Sequence, residues 1–220
     1  HVDEVYTQVG IAIHGSLHGA DASSSETADS TAEPMDILSI ALSDADDRAP
    51  DLKLDDNDVV QILYTSGTTS DPKGAMHTHR SFISEYASCI NHMDIATSDR
   101  TLAALPLYHS AQMHAFTLPS LLNGGFTYLI DTPTPDSILH LLKEHQLNAF
   151  FAPPTVWIAL LRHQDFVDAE LQHLEKIYYG ASIMPEPIVH ELGQRLPNSG
   201  LYNCYGQSEI APCGATKFLR

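Results

Sequence analysis

Residues Tyr64 to Gly74 read Y-T-S-G-T-T-S-D-P-K-G and follow directly on the apolar run Val59-Val60-Gln61-Ile62-Leu63. The β-branched and aromatic residues of the run predict a buried strand, and the segment after it predicts a loop. That loop gathers hydroxyls at Thr65, Ser66, Thr68, Thr69 and Ser70, with two glycines, Gly67 and Gly74, and the single lysine Lys73. Hydroxyls and free backbone N–H groups donate to phosphate oxygens, Gly67 lets the backbone approach closely, and Lys73 adds a mobile positive charge. The combination predicts a phosphate-gripping loop. Taken alone it also fits an ordinary hydroxyl-rich surface turn. It is not a Walker A loop, which needs G-K-[ST] opening a helix, because Pro72 precedes the lysine and Gly74 follows it.

Working outward, short β-branched or aromatic runs alternate with longer amphipathic ones. Predicted strands fall at Thr101–Leu105, Phe126–Ile130, Asn148–Ala152, Lys176–Tyr179 and Leu201–Cys204. Predicted helices fall at Ser81–Met93, Ala111–Leu122, Asp136–His145 and Glu186–Leu196, with another opening at Pro153-Pro154-Thr155, where proline suits a first turn. This alternation implies an α/β fold: a mostly parallel, doubly wound sheet with helices on both faces and ligands bound outside the carboxyl ends of the strands. Ahead of the loop, Val9–Ile13 suits a strand, Ala20–Glu33 a low-complexity linker, Pro34–Leu42 a short helix and Asp44–Asp58 an acidic connector. Residues 1–58 therefore read as an acidic leading segment and 59–220 as the ligand-binding subdomain.

Four more stretches sit just after predicted strands. Leu105-Pro106-Leu107-Tyr108-His109-Ser110 is a turn with an aromatic and a histidine, and Phe150 to Trp157 places bulk where core packing alone explains most of it. Tyr179 to Pro185, Y-G-A-S-I-M-P, lacks the final glycine of a G-x-S-x-G nucleophile elbow, so a tight turn beside a flat ligand fits better. Tyr205-Gly206-Gln207-Ser208-Glu209 offers an aromatic ring to stack on a base, an open approach, a hydroxyl and a hard oxygen ligand. The pairs His77/His79 and His109/His114 lack the fixed carboxylate or third ligand of a metal site.

Taken in order, Tyr64–Gly74 and Tyr205–Glu209 resemble the P-loop (Y-T-S-G-T-T-G-x-P-K-G) and the Y-G-x-T-E motif of the adenylate-forming enzymes. That superfamily comprises acyl-CoA synthetases, luciferases and peptide-synthetase adenylation domains. Ser70 stands where its pattern has glycine and Ser208 where it has threonine. The resemblance covers Asp58 to Arg220, and Y-G-Q-S-E-I-A-P-C-G-A-T looks most like fatty-acyl-CoA synthetases. It implies that Thr65, Ser66, Gly67, Thr68, Thr69 and Lys73 hold the β- and γ-phosphates of ATP. It gives adenine to Gly180, Ala181, Ser182, Tyr205 and Gly206, the α-phosphate to Ser208 and Mg²⁺ to Glu209. His109 would border the reacting carboxylate, and Pro154 and Trp157 would wall the acyl pocket; Lys73, His109, Ser208 and Glu209 form the implied catalytic set. The implied reaction joins a carboxylate, expected to be a fatty acid, to ATP as an acyl-adenylate, then passes the acyl group to a thiol, usually coenzyme A. An aryl-CoA ligase, a carrier-protein-loading adenylation domain and a non-catalytic nucleotide-binding remnant stay open. The family's ribose-binding aspartate motif and mobile carboxy-terminal domain find no room after Ala215, so the expectation is a fragment that does not turn over steadily alone.

The formal net charge of −17, from 28 acidic and 11 basic residues, argues against a nucleic-acid surface. Cys89, Cys204 and Cys213 contain no C-x-x-C pair and read as reduced thiols. There is no apolar run of bilayer length and no signal peptide, which predicts a cytoplasmic protein.

Overall fold

The computed structural model describes residues 11–14, 52–65, 73–166, 168–210, 213 and 215–219, of which 11–14, 168–169 and 215–219 by backbone alone. The predicted linker at Ala20–Glu33 and helix at Pro34–Leu42 lie outside the described residues. Among the described residues there are nine strands: β1 (Ile11–His14), β2 (Val59–Thr65), β3 (Lys73–Thr78), β4 (Arg100–Ala103), β5 (Phe126–Ile130), β6 (Ala149–Ala152), β7 (Lys176–Gly180), β8 (Gly200–Tyr205) and β9 (Ala215–Leu219). Seven of them form one sheet in the order β1-β5-β4-β6-β7-β8-β9. Every neighbouring pair in it is parallel except β8 with β9. The mostly parallel sheet expected from the alternation is what the chain builds. The antiparallel edge strand β9 was not legible in the sequence.

Helices α1 (His79–His92), α2 (Leu118–Leu122), α3 (Pro135–Glu144), α4 (Pro154–Leu161) and α5 (Glu186–Arg195) cover the sheet. Strand side chains point alternately to its two faces, so each strand serves two cores. Phe150, Ile177 and Leu201 are in register on one face, where Leu139, Leu142, Leu160 and Leu192 of α3, α4 and α5 bury them. Phe151, Tyr178 and Tyr202 are in register on the other, covered by Cys89 of α1, by Met93 and by Ala115 and Phe116. Phe116 stacks on Phe151 with ring centroids 4.2 Å apart. Helices α1 and α3 each begin with a reciprocal cap, Thr78 with Ser81 and Thr134 with Ser137.

Two expectations need correction. The helix expected at Ala111–Leu122 opens as a π-helical segment, Ala111–Thr117, and becomes α-helical only in α2. The run before the phosphate loop is not a buried strand of the main sheet: β2 pairs antiparallel with β3 in a separate hairpin. Its apolar side chains are half exposed, Val59, Val60 and Ile62 by 46–51%. β-Branching sets strand propensity and is silent on which sheet receives the strand.

One buried ion pair ties the amino end of β7 to the sheet. Lys176 Nζ lies 2.7 Å and 2.9 Å from the Asp99 carboxylate oxygens and also donates to the Asp94 carbonyl. Both side chains are less than a tenth exposed.

Candidate active site

Segments leaving the carboxyl ends of β4, β6, β7 and β8 meet around one cavity of about 400 Å³. The β4 exit brings Leu105, Pro106 and His109; the β6 exit brings Pro153; the β7 exit brings Ala181; the β8 exit brings Tyr205, Gly206, Gln207 and Ser208. Ala111, Ala115 and Phe116 of the π-helical segment and Phe151 of β6 add apolar wall. Single-turn π segments recur at functional sites, and this one carries its residues directly from His109. The His109 backbone N–H donates to Pro106 O at 3.0 Å and its carbonyl accepts from Met113 at 3.2 Å, which fixes the turn. Tyr205 is 58% exposed at the rim, where the Gln207 amide donates to its hydroxyl at 2.7 Å.

The β7 exit is tight. A side chain added at Gly180 would put its Cβ 2.3 Å from the Cys204 carbonyl oxygen, so only glycine fits beside β8. Ala181 follows with φ +65°, the left-handed region that L residues seldom adopt. Strain of this kind accumulates where a loop is held for a ligand.

A second, polar hollow of about 460 Å³ adjoins the hairpin and α1; Glu209 lines it together with His77, Thr78, Ser81, Ser84 and Glu85. The turn Ser208–Ile210 packs against both β2 and β3. Thr65 and Lys73 pair at the loop end of that hairpin, flanking in sequence Ser66, Gly67, Thr68 and Thr69, which lie outside the described residues. Lys73 is exposed.

The cavity thus unites five of the expected residues: His109, Ala181, Tyr205, Gly206 and Ser208. Gly180 supports it from beneath, and exposed Ser182 is not among its lining residues. Pro154 and Trp157 are corrections. Trp157 is 1% exposed in the core on the opposite face of the sheet, where its indole N–H donates to Tyr178 O at 3.0 Å. Pro154 is buried at the first turn of α4, and its neighbour Pro153 reaches the cavity instead. Phe151 and Phe116 were missed. The signal for Phe151 was present, since alternation along β6 sends it to the face opposite Phe150.

Behind the π-helical segment, His77 and His114 flank the Phe82 ring at 5.0 Å and 4.0 Å. The Tyr86 hydroxyl bonds His114 Nδ1 at 2.7 Å. An aromatic ring between the two imidazoles leaves them packed in a stack. Burial, and then the charge of His77, lower the His114 pKa to about 4. Burial also raises Glu85, against the lowering effect of its hydrogen bonds from Cys213 and Cys89.

The profile of the AMP-binding enzyme family matches residues 6–220. A feruloyl-CoA synthase from Amycolatopsis is 34% identical over 76% of the chain and 34% of its own length. A medium/long-chain-fatty-acid–CoA ligase, FadD8, from Mycobacterium tuberculosis is 32% identical over 69% of the chain and 26% of its own length. The chain therefore spans about a third of the length of these curated relatives. In structure it resembles the inhibitor-bound N-terminal domain of FACL13 from Mycobacterium tuberculosis, with TM-score 0.76 and 24% identity over 82% of the chain and 45% of that domain.

Proposed function

Because the chain belongs to the AMP-binding enzyme family, we propose that it is the nucleotide- and acyl-binding part of an ATP-dependent acid–thiol ligase, in which a carboxylate becomes an acyl-adenylate and then a thioester of coenzyme A. One observation carries the reading: four strand exits converge on a cavity whose walls are apolar and whose rim holds His109, Ala181, Tyr205, Gly206 and Ser208. In this reading Tyr205 stacks on adenine, with Gly180 and Ala181 keeping the approach tight, and His109 borders the carboxylate. Ser208 donates to the α-phosphate. Thr65 and Lys73, with Ser66, Gly67, Thr68 and Thr69 between them, hold the β- and γ-phosphates. Displacement at phosphorus needs positioning and charge neutralisation more than covalent help, which suits this set of donors. Glu209 is an exposed carboxylate beside a polar hollow, a donor suited to Mg²⁺, which keeps most of its waters and would neutralise phosphate charge when bound.

The expected fatty acid gives way here to a broader acyl class. Relatives at similar identity are named for ferulate and for medium- and long-chain fatty acids. Phe116, Phe151, Pro106 and Pro153 favour a flat aryl acid, and we place a phenylpropanoid acid first and a fatty acid second. We read residues 59–220 as the ligand-binding subdomain, with β1 supplied by the leading segment, and the compartment as cytoplasmic, where thiols stay reduced. Among the described residues no helix is long and apolar enough to cross a membrane.

The test is pyrophosphate release by the full-length protein over a panel of hydroxycinnamic and fatty acids, with ATP, Mg²⁺ and coenzyme A. Acid-dependent release that is strongest with hydroxycinnamic acids is expected. Nucleotide binding with no release on any carboxylate would overturn the assignment.

A further inference from the structure

The three cysteines of the chain sit on separate elements: Cys89 on α1, Cys204 on β8 and Cys213 ahead of β9. Folding brings them to one place. The Cys89 thiol, the Cys213 thiol and a Glu85 carboxylate oxygen all lie within 4.8 Å of one another. Glu85 Oε1 accepts from the Cys213 backbone N–H at 2.9 Å and from the Cys89 thiol at 3.4 Å. The Met93 thioether, one helical turn beyond Cys89, lies 4.0 Å from Cys213 Sγ and 3.9 Å from Cys204 Sγ. Cys89 is 3% exposed, Glu85 9% and Met93 fully buried. The proposed ligase chemistry assigns none of them a role.

A carboxylate less than a tenth exposed beside two cysteine thiols costs desolvation that apolar residues of the same volume would avoid. We propose that Cys89, Cys213 and Glu85 bind a thiophilic d¹⁰ cation, Zn²⁺ or Cu⁺, with the Met93 and Cys204 sulfurs beside the fourth position. Tetrahedral metal–sulfur bonds of about 2.3 Å set ligand atoms roughly 3.8 Å apart, so the trio closes onto an ion with shifts on the order of 1 Å. Each metal–sulfur bond to a cysteine replaces an S–H bond, and the two thiol protons pass to solvent. A divalent ion balances the two thiolates and leaves only the Glu85 charge. Soft sulfur ligands exclude Mg²⁺ and Ca²⁺. Cys204 and Cys213 also line the acyl–nucleotide cavity, so the ion would tie α1 to the cavity wall.

The test titrates the chain, reduced beforehand with a phosphine, with Co²⁺ as a spectroscopic stand-in and with Zn²⁺. A separate anaerobic arm uses Cu⁺ buffered by a competing chelator. One equivalent should bind, with thiolate-to-cobalt charge transfer, tetrahedral d–d bands, proton release and a higher Tm. Cys89→Ala and Cys213→Ser should each weaken binding by more than about 100-fold, beyond the effect of an outer-shell change. Their metal-free Tm and circular dichroism establish that they fold. Met93→Leu distinguishes the ions: it weakens Cu⁺ if the thioether ligates and leaves Zn²⁺ unchanged. Two results would overturn the proposal: no binding in either arm beyond that of a variant lacking all three cysteines, or binding unchanged in both cysteine variants, which would move the ion to the Asp136–His163–Asp165 cluster.

Discussion

His114 gives the most direct residue-scale prediction. Its imidazole is held neutral in the fold, with a pKa near 4 against an ordinary 6.5. The unfolded chain therefore binds more protons between those values, so stability is complete above pH about 6.5, declines as pH falls toward about 4 and is level below. The loss amounts to about 1–3 kcal/mol. Glu85, raised by burial, works in the opposite sense over part of that range. Urea denaturation of wild type and His114→Phe at several pH values isolates the histidine: the variant should lack the acid-side decline. An equal decline in both would assign it to other groups. Gly180 supplies a second case. A Cβ there would strike the Cys204 carbonyl oxygen, so Gly180→Ala should cost about 1–3 kcal/mol in thermal denaturation.

At the scale of elements, the buried Lys176–Asp99 pair joins β7 to the segment between α1 and β4. Lys176→Met strands the Asp99 carboxylate and should destabilise by about 3–5 kcal/mol; a change under 1 kcal/mol in denaturant unfolding would mean that water reaches the pair. Neither partner was conspicuous in the sequence, because a lysine opening a strand gives no sign of where it ends. The parallel strands of the main sheet, by contrast, were legible from their β-branched and aromatic runs. So was their mostly parallel orientation, because helical segments separate successive runs from Thr101 to Cys204. What escaped notice depends on three-dimensional company: the antiparallel edge of β9, the hairpin that takes β2 out of the main sheet, and the π-helical start at Ala111. Site residues divide along the same line. His109, Tyr205, Gly206 and Ser208 belong to local motifs and line the one cavity, whereas Trp157 was assigned to the acyl wall by resemblance alone. The α4 turn carries it to the other face of the sheet.

At the scale of the whole molecule, the cavity is a property of topology. Four parallel strands end on one side, and the segments that follow line the cavity there. The β2–β3 hairpin lies outside that sheet and packs against the turn at Ser208–Ile210. This division predicts separable effects: Lys73→Ala should weaken ATP while sparing ligands without β- and γ-phosphates. The central claim, that adenine and acyl group share the cavity, is tested most directly by calorimetric titration of the chain with a non-hydrolysable aryl-acyl-adenylate analogue. The account predicts one site, an affinity reduced by about 1–3 kcal/mol in Tyr205→Ala through lost stacking, and little change in Lys73→Ala. Saturable binding that Tyr205→Ala leaves untouched would contradict it.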